Sequence, residues 1–248
     1  MENSLDNADE NAVYGIKHDG WAEVVLNRPE RRNAITGPLG EGLAREVNRF
    51  AEDDEVKAIL LRGAQDAFCS GLDLDAFNAQ PAPDWVADFR DLWLQAHVAL
   101  YNCPKPVVGA LQRYAINGGA ALAIACDWLV VGEESFLQVG EIRIGMAAPF
   151  NLAWLTLRHS EAVTLRVALG GDRLYGAALK EAGLAQTCVA EDAVLAEATR
   201  ICESLADSAG QGPQLIKTGV RAGREDAQVW FSKFTASAPQ VKPQRQPA

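Results

Sequence analysis

The chain has 248 residues, of which 48% are hydrophobic, and carries a formal net charge of -10 with a sequence pI of about 4.8. This size and apolar content predict one large domain with a substantial buried core. The acidic balance argues against a nucleic-acid-binding face, and no apolar run approaches the length needed to span a membrane.

The cysteines predict reduced thiols in a cytoplasmic protein. They are scattered singly and no Cys-x-x-Cys occurs, so neither a disulfide framework nor a structural zinc site is expected. The acidic, polar N-terminus resembles neither a signal peptide nor a transit peptide. We therefore expect no metal ligands in this chain.

The first third of the chain predicts two strands, a helix and a third strand. Residues 1–12 are expected to be a disordered tail, followed by strands at 13–17 and 22–26. The next loop carries three arginines, Arg28, Arg31 and Arg32. From the charges alone, a simple solvated loop and a binding site for a negatively charged group are equally good interpretations. A helix is predicted at 38–52 and a buried strand at 56–61.

The rest of the chain alternates short aliphatic strands with helices, which predicts an α/β fold with a buried sheet. Asp84 is the predicted N-cap of a helix over 85–101. The predicted strands are 107–111, 128–131, 135–138 and 185–189. The predicted helices, apart from one that begins at Gly118, are 150–158, 161–169, 177–182, 191–207, 213–222 and 225–236. Trp128, Phe150 and Trp154 are expected in the core or in a pocket wall, and 238–248 is expected to be an irregular tail.

Two features of the stretch 116–145 point to chemistry. Gly118 and Gly119 open a helix of small residues, whose free backbone N–H groups can hold an anion or an oxygen that becomes one. Glu141 lies among glycine and aliphatic residues, where burial raises the pKa of a carboxyl group. Taken without the rest of the sequence, the glycine pair is more typical of a simple tight turn, and an ion pair with Arg143, Arg158 or Arg166 is the alternative explanation of Glu141.

Five short blocks, in order, resemble the crotonase family, which is the enoyl-CoA hydratase/isomerase superfamily. They are Asn27-Arg28-Pro29 with Asn33-Ala34, Phe68-Cys69-Ser70-Gly71-Leu72-Asp73-Leu74, Pro104-Lys105-Pro106-Val107, Gly118-Gly119 with Ala125-Cys126-Asp127, and Glu141-Ile142-Arg143-Ile144-Gly145. Each block is weak alone, but together they are highly specific.

The resemblance implies a crotonase-like ββα spiral over 13–190 and a C-terminal helical region over 191–237 that builds homotrimers or hexamers. It implies an acyl-CoA thioester as substrate, with no cofactor beyond the coenzyme A that the substrate carries. The backbone N–H groups of Leu72 and Gly118 match the family's oxyanion hole. The implied substrate-binding positions are Arg28, Arg31, Arg32, Ala34, Ser70, Asp73, Leu74, Gly119 and Ala121.

The catalytic carboxylates depart from the family's hydratase pattern. A hydratase of this family uses two glutamates; Glu141 matches one, whereas the other position is Ala121. The segment after Gly145 also lacks the family's glycines and contains no aspartate. One base with an oxyanion hole suits movement of a double bond between the β,γ and α,β positions. Hydration by Glu141 alone, another enolate reaction, and a non-catalytic acyl-CoA binder remain alternatives.

Overall fold

The structure is a computed structural model, in which residues 11–236 are described. The strands are β1 (Val13–Lys17), β2 (Trp21–Leu26), β3 (Ala58–Gly63), β4 (Val107–Leu111), β5 (Tyr114–Ile116), β6 (Trp128–Gly132), β7 (Phe136–Gln138), β8 (Arg173–Tyr175) and β9 (Thr187–Val189). The helices are α1 (Gly37–Glu52), α2 (Leu74–Phe77), α3 (Phe89–Asn102), α4 (Gly118–Ala125), α5 (Pro149–Arg158), α6 (Glu161–Gly170), α7 (Gly176–Glu181), α8 (Val194–Ala206), α9 (Gly212–Val220) and α10 (Ala227–Thr235). Short 3₁₀ turns occupy Pro29–Arg31, Asp84–Val86, Glu141–Ile144 and Glu191–Ala193.

The main sheet has six strands in the order β1-β2-β3-β4-β6-β9, and a smaller sheet has the order β5-β7-β8. Only the β1–β2 pair of the main sheet is antiparallel. Strands β3 and β4 are almost entirely buried because both faces of the sheet are covered. One face packs into the main core with α1, α3 and α4, and the other packs under α8 through Val194, Ala198, Ile201 and Cys202. This α/β architecture is the crotonase-like fold that the sequence predicts.

The smaller sheet positions the glycine-led helix, because β5 leads directly through Asn117 into α4. Two isolated bridges hold the small-residue turn around Gly71, one to strand β5 and one to the segment before α1. Cys69 pairs with Ala115, and Leu72 pairs with Ile35. Gly71 has φ +91°, and a Cβ there would lie 2.9 Å from the backbone O of Ile116, so this turn requires glycine.

Several predicted boundaries were wrong. Asp84 begins a 3₁₀ turn rather than capping a helix, and α3 begins at Phe89 after Asp88. The three-residue strands β5 and β8 and the one-turn helix α2 were not predicted. Trp128 is 42% exposed rather than buried, and its Nε1–H donates to Oγ1 of Thr187.

The ends of the chain are only partly described. Ala12, placed in the predicted disordered tail, is buried, and its backbone O accepts from the N–H of Asn27 at 2.7 Å. The remaining predicted tail, 1–10, and the predicted irregular end, 238–248, lie outside the described residues. No helix formed by residues 11–236 has the length and apolar character needed to cross a membrane.

Candidate active site

An apolar cavity of about 500 Å³ lies between the small-residue turn, the start of α4, the 3₁₀ turn at Glu141 and the start of α5. Its volume is within the range of small-molecule sites. It is lined by Ser70, Leu72, Leu74, Phe89, Trp93, Ile116, Asn117, Gly118, Glu141, Ile144, Met146, Ala148, Pro149, Phe150 and Asn151. Among these described residues, Glu141 is the one with an acidic or basic side chain.

The backbone of Leu72 offers a free N–H to this cavity. In the bridge with Ile35, the N–H of Ile35 donates to the O of Gly71 at 2.8 Å, and the N–H of Asp73 donates to the O of Ile35 at 3.0 Å. Because neighbouring residues in an extended segment point their backbone groups to opposite sides, the N–H of Leu72 is directed away from Ile35. It donates to no acceptor within residues 11–236.

The second free N–H belongs to Gly118, the first residue of α4. The helix is apolar on all sides and nearly all of it is buried. The N–H of Gly118 has no acceptor in the described part of the chain, as expected for the first turn of a helix. Two free N–H donors on the wall of an apolar cavity can stabilise an oxygen that gains negative charge during a reaction.

Glu141 is the buried acid of the cavity, with only 7% of the residue exposed. Burial raises the pKa of its carboxyl group to about 7, although its own backbone N–H and the Asn151 amide partly offset that effect. Oε2 has no hydrogen-bond partner among the described residues. A carboxyl group with a pKa near neutrality suits general base catalysis.

The alternative explanation of Glu141, an ion pair with Arg143, Arg158 or Arg166, is wrong. Arg143 binds Asp172 at 2.8 Å and Arg158 binds Asp127 at 2.9 Å. Within residues 11–236, Glu141 does not form an ion pair with any lysine, arginine or histidine side chain. Its carboxyl group is therefore buried without a countercharge.

Asn151 is the neighbour of Glu141 that sequence reasoning missed. It is 1% exposed, and its Nδ2 donates to Oε1 of Glu141 at 2.9 Å and to the backbone O of Asn117 at 3.0 Å. Asn117, in turn, accepts at Oδ1 from the N–H of Gly140 at 2.8 Å. The available signal in the sequence was a single amide within the otherwise apolar run 146–155.

An aromatic wall formed by Phe89, Trp93 and Phe150 covers one side of the cavity. His97 supports it from behind, since its ring stacks on Phe150 and its Nδ1 accepts from Nε1–H of Trp154 at 2.9 Å. Burial lowers the pKa of His97 to about 3, so this side chain is neutral at physiological pH. The wall is apolar and suits an uncharged organic group.

A charged cleft adjoins the apolar cavity and shares Ser70, Leu72 and Leu74 with it. The cleft is also lined by Glu30, Arg31, Arg32, Ala34, Asp73 and Asp75. The carboxylate of Asp73 is buried and accepts hydrogen bonds from both Arg28 and Arg31. The cleft therefore brings most of the predicted substrate-binding positions together beside the cavity.

Three predicted site residues line neither space: Arg28, Gly119 and Ala121. Gly119 packs against the small-residue turn, and a Cβ there would lie 2.6 Å from the backbone O of Cys69. Ala121 is fully buried inside α4. In the described ranges, no group of three or more His, Cys, Asp or Glu side chains is arranged to hold a metal ion.

Comparisons with known proteins identify the family. The sequence model described as enoyl-CoA hydratase/isomerase matches residues 17–238. The chain is 30% identical over 203 residues to a probable mitochondrial enoyl-CoA hydratase of Dictyostelium discoideum, which covers 82% of this chain and 72% of the relative. It is also 30% identical over 204 residues to a probable enoyl-CoA hydratase of Rhizobium meliloti, covering 82% of this chain and 78% of that protein.

A solved structure supports the same assignment. The enoyl-CoA hydratase/isomerase from Pseudoalteromonas atlantica superimposes with a TM-score of 0.77 at 25% identity, covering 91% of this chain and 89% of the other. The family predicted from the five sequence blocks is thus confirmed by independent sequence and structure matches. The chain belongs to the enoyl-CoA hydratase/isomerase family of enzymes.

Proposed function

We propose that the protein moves a carbon–carbon double bond of an acyl-CoA thioester between the β,γ and α,β positions. The single observation that carries this proposal is that Glu141 is the one acidic or basic side chain among the described residues lining the cavity. One base that takes and returns a proton is sufficient for isomerisation. The position where the family's hydratases carry a second glutamate is Ala121, which is buried outside the cavity.

In the proposed reaction, deprotonated Glu141 removes a proton from the α carbon of a β,γ-unsaturated thioester. The electron pair delocalises into a dienolate, with negative charge on the thioester oxygen. The N–H groups of Leu72 and Gly118 hold this oxygen, and each donor of this type contributes roughly 3–4 kcal/mol to transition-state stabilisation. Protonated Glu141 then returns the proton to the γ carbon, which gives the conjugated isomer and restores the base.

The substrate is placed with its acyl group in the apolar cavity and its coenzyme A along the charged cleft. The aromatic wall supports an uncharged acyl group, and the exposed Arg32 offers a positive charge to a phosphate. The substrate brings its own coenzyme A, so the proposed reaction requires no separate cofactor.

Hydration of a conjugated enoyl-CoA is the second candidate. Two buried oxygens near the cavity, Oε2 of Glu141 and Oδ1 of Asn151, have no hydrogen-bond partner in the described part of the chain. Two acceptors of this kind can hold a water molecule. The relatives named as probable hydratases also favour this candidate.

The deciding experiment compares both reactions with one purified protein. An unbranched β,γ-unsaturated acyl-CoA is converted to its conjugated isomer, which is followed by ultraviolet absorbance, and the conjugated isomer is tested for hydration. We expect isomerisation to be the faster reaction and Glu141→Gln to reduce it by about 10²–10⁴-fold. Faster hydration would support the second candidate. If neither reaction occurs but acyl-CoA still raises the melting temperature, the protein is a binder and the proposal fails.

The exposed apolar side chains of α9 are the proposed contact with further copies of the chain in a homotrimer or hexamer. Leu215, Ile216 and Val220 are 65%, 70% and 71% exposed. Large apolar side chains that are clustered on one helix support a protein contact. Light scattering on the purified protein measures the assembly, and a monomeric mass would contradict this proposal.

A further inference from the structure

Asn151 lies at the junction between the acid of the cavity and the start of α4. Its side chain belongs to the first turn of α5 and is almost completely buried. Both N–H bonds of its amide are used, one by Oε1 of Glu141 and the other by the backbone O of Asn117. Because Asn117 immediately precedes Gly118, the amide spans the two parts of the site.

Asn117 holds the same junction from the other side. Its Oδ1 accepts from the N–H of Gly140, the residue before Glu141. Its backbone has φ +51° and ψ -112°, a conformation that residues other than glycine rarely adopt. Strained backbone of this kind persists only where the surrounding structure fixes it, and it is concentrated at functional sites.

We propose that Asn151 is a positioning residue for Glu141, holding Oε1 so that Oε2 is the oxygen that takes the substrate proton. The inference rests on the proposed function and deepens it, because it names Asn151, ten positions after Glu141, as the residue that fixes the orientation of the base. The same amide fixes the base relative to the N–H of Gly118, because Asn151 and Asn117 share a hydrogen bond.

The amide also favours the charged form of Glu141, because a carboxylate accepts a hydrogen bond more strongly than a carboxylic acid does. On the elements packed around Glu141, the charged side chains are paired with other residues or exposed, so the Asn151 amide is the group that stabilises the carboxylate. Arg143, on the same 3₁₀ turn, binds Asp172. Arg158, at the far end of α5, binds Asp127, and Glu161 and Arg166 on α6 are exposed. Strands β5 and β7 and helix α4 carry no charged residue.

The test compares Asn151→Ala with the wild type in the pH dependence of kcat and in the ionisation of Glu141. We expect kcat at neutral pH to fall on the order of 10²-fold, with KM little changed, because the base is misplaced. The acidic limb of the rate profile should move to higher pH, and Asn151→Asp should move it further, because a second carboxylate disfavours the first. An unmoved limb together with a kcat within about 2-fold of the wild type would overturn the inference.

A control and a second readout separate this inference from general destabilisation and from the proposed reaction. Leu43→Ala, which creates a cavity in the core under α1, should lower the melting temperature without moving the limb. The ¹³C NMR titration of the Glu141 carboxyl group in the free protein should move upward in Asn151→Ala even if isomerisation is not the reaction. An unchanged titration would overturn the inference on its own.

Asn117→Gly keeps the test available if Asn151→Ala does not fold. Glycine accepts the backbone conformation without strain but removes the acceptor for the N–H of Gly140. We expect a melting temperature equal to or above that of the wild type and a kcat reduced about 10-fold or more, since a small misplacement of the base slows the reaction. Wild-type kcat in a stable Asn117→Gly protein would contradict the inference that Asn151 and Asn117 together fix Glu141 relative to the N–H of Gly118.

Discussion

Nη1 of Arg28 lies 3.0 Å from Oδ2 of Asp73, and only 11% and 1% of the two side chains are exposed. Arg31 binds the other carboxylate oxygen at 2.8 Å. Burial acts to raise the pKa of Asp73, but hydrogen bonds from Arg31, the N–H of Ala76 and Arg28 lower it to about 2. Two of the three loop arginines are therefore bound internally, and their charge holds the loop against the start of α2.

Arg32 is the loop arginine that should bind the nucleotide part of the substrate. Its side chain is exposed, borders the charged cleft and forms no ion pair or hydrogen bond within residues 11–236. We expect Arg32→Ala to raise KM for acyl-CoA about 10-fold with little change in kcat, because a charge-assisted hydrogen bond contributes about 1.5 kcal/mol. Steady-state kinetics measure the effect.

An N-acetylcysteamine thioester is the matched substrate control for Arg32, because it lacks the phosphates. Arg32→Ala should leave its KM unchanged, and an equal rise on both substrates would contradict phosphate binding. Arg28→Ala should instead lower the free energy of unfolding by about 3 kcal/mol, since it leaves a buried carboxylate short of a partner. Denaturant unfolding distinguishes these two outcomes.

A general base with a raised pKa predicts the pH dependence of the reaction. Glu141 must be deprotonated to act as a base, and burial raises its pKa to about 7. We therefore expect kcat/KM to increase as pH rises through about 7 and to level off above it, because this profile reports groups of the free enzyme. A profile already level at about pH 5 would assign the base to another group.

The parts of the fold that the sequence predicted well are those with strong local patterns. The aliphatic run at β4 has its predicted bounds, and α1 begins one residue before its predicted start. The strands β5 and β8 have three residues each, too few to show a period of two. Asp84 resembles an N-cap, but the chain makes a 3₁₀ turn there and α3 starts later.

Part of the candidate site could be predicted from the sequence, again because some of its residues lie in strong local patterns. Leu72, Gly118 and Glu141 lie in blocks whose small residues and spacing resemble the family, and all three line the cavity. Asn151 stands out in the sequence only as an amide in an apolar run, and that does not reveal its role, because the role depends on a contact with Glu141 across a turn. Ala148 has φ +50° in this turn, and Pro149 then starts α5. Tertiary contacts between separate segments cannot be derived from periodicity or propensity alone.

Glu141 should make the protein less stable as pH rises from about 4.5 to about 7. The native carboxyl group keeps its proton up to about pH 7, whereas the unfolded one, with an ordinary pKa of 4.5, releases it earlier. The native state thus binds more protons between these values, so stability falls as pH rises through this window. The loss amounts to about 3 kcal/mol for a difference of this size.

Glu141→Gln removes this pH-dependent loss. We expect the variant to gain stability relative to the wild type between about pH 4.5 and pH 8, by up to about 3 kcal/mol. Denaturant unfolding of both proteins at each pH gives the comparison. Glu41→Gln, on the exposed side of α1, is the control and should retain the wild-type pH dependence. Parallel curves for the wild type and Glu141→Gln would mean that the native carboxyl group titrates normally.

Asp127 should be the main electrostatic attachment of the C-terminal helices. Its carboxylate accepts from Arg158, Arg221 and Lys217 at 2.9, 3.0 and 2.6 Å, which joins α4 to α5 and α9. Burial opposes ionisation, but the three cations hold the pKa of Asp127 well below its usual range. We expect Asp127→Asn to lower the free energy of unfolding by about 3–5 kcal/mol at neutral pH, because three cations lose their partner. The wild type should lose this advantage as pH falls below about 4, since a depressed pKa stabilises only while the native carboxylate is ionised.

Asp66→Asn breaks an exposed pair with Arg113 and should change stability by less than about 1 kcal/mol. Equal effects of the two substitutions in denaturant unfolding would show that Asp127 is an ordinary surface carboxylate.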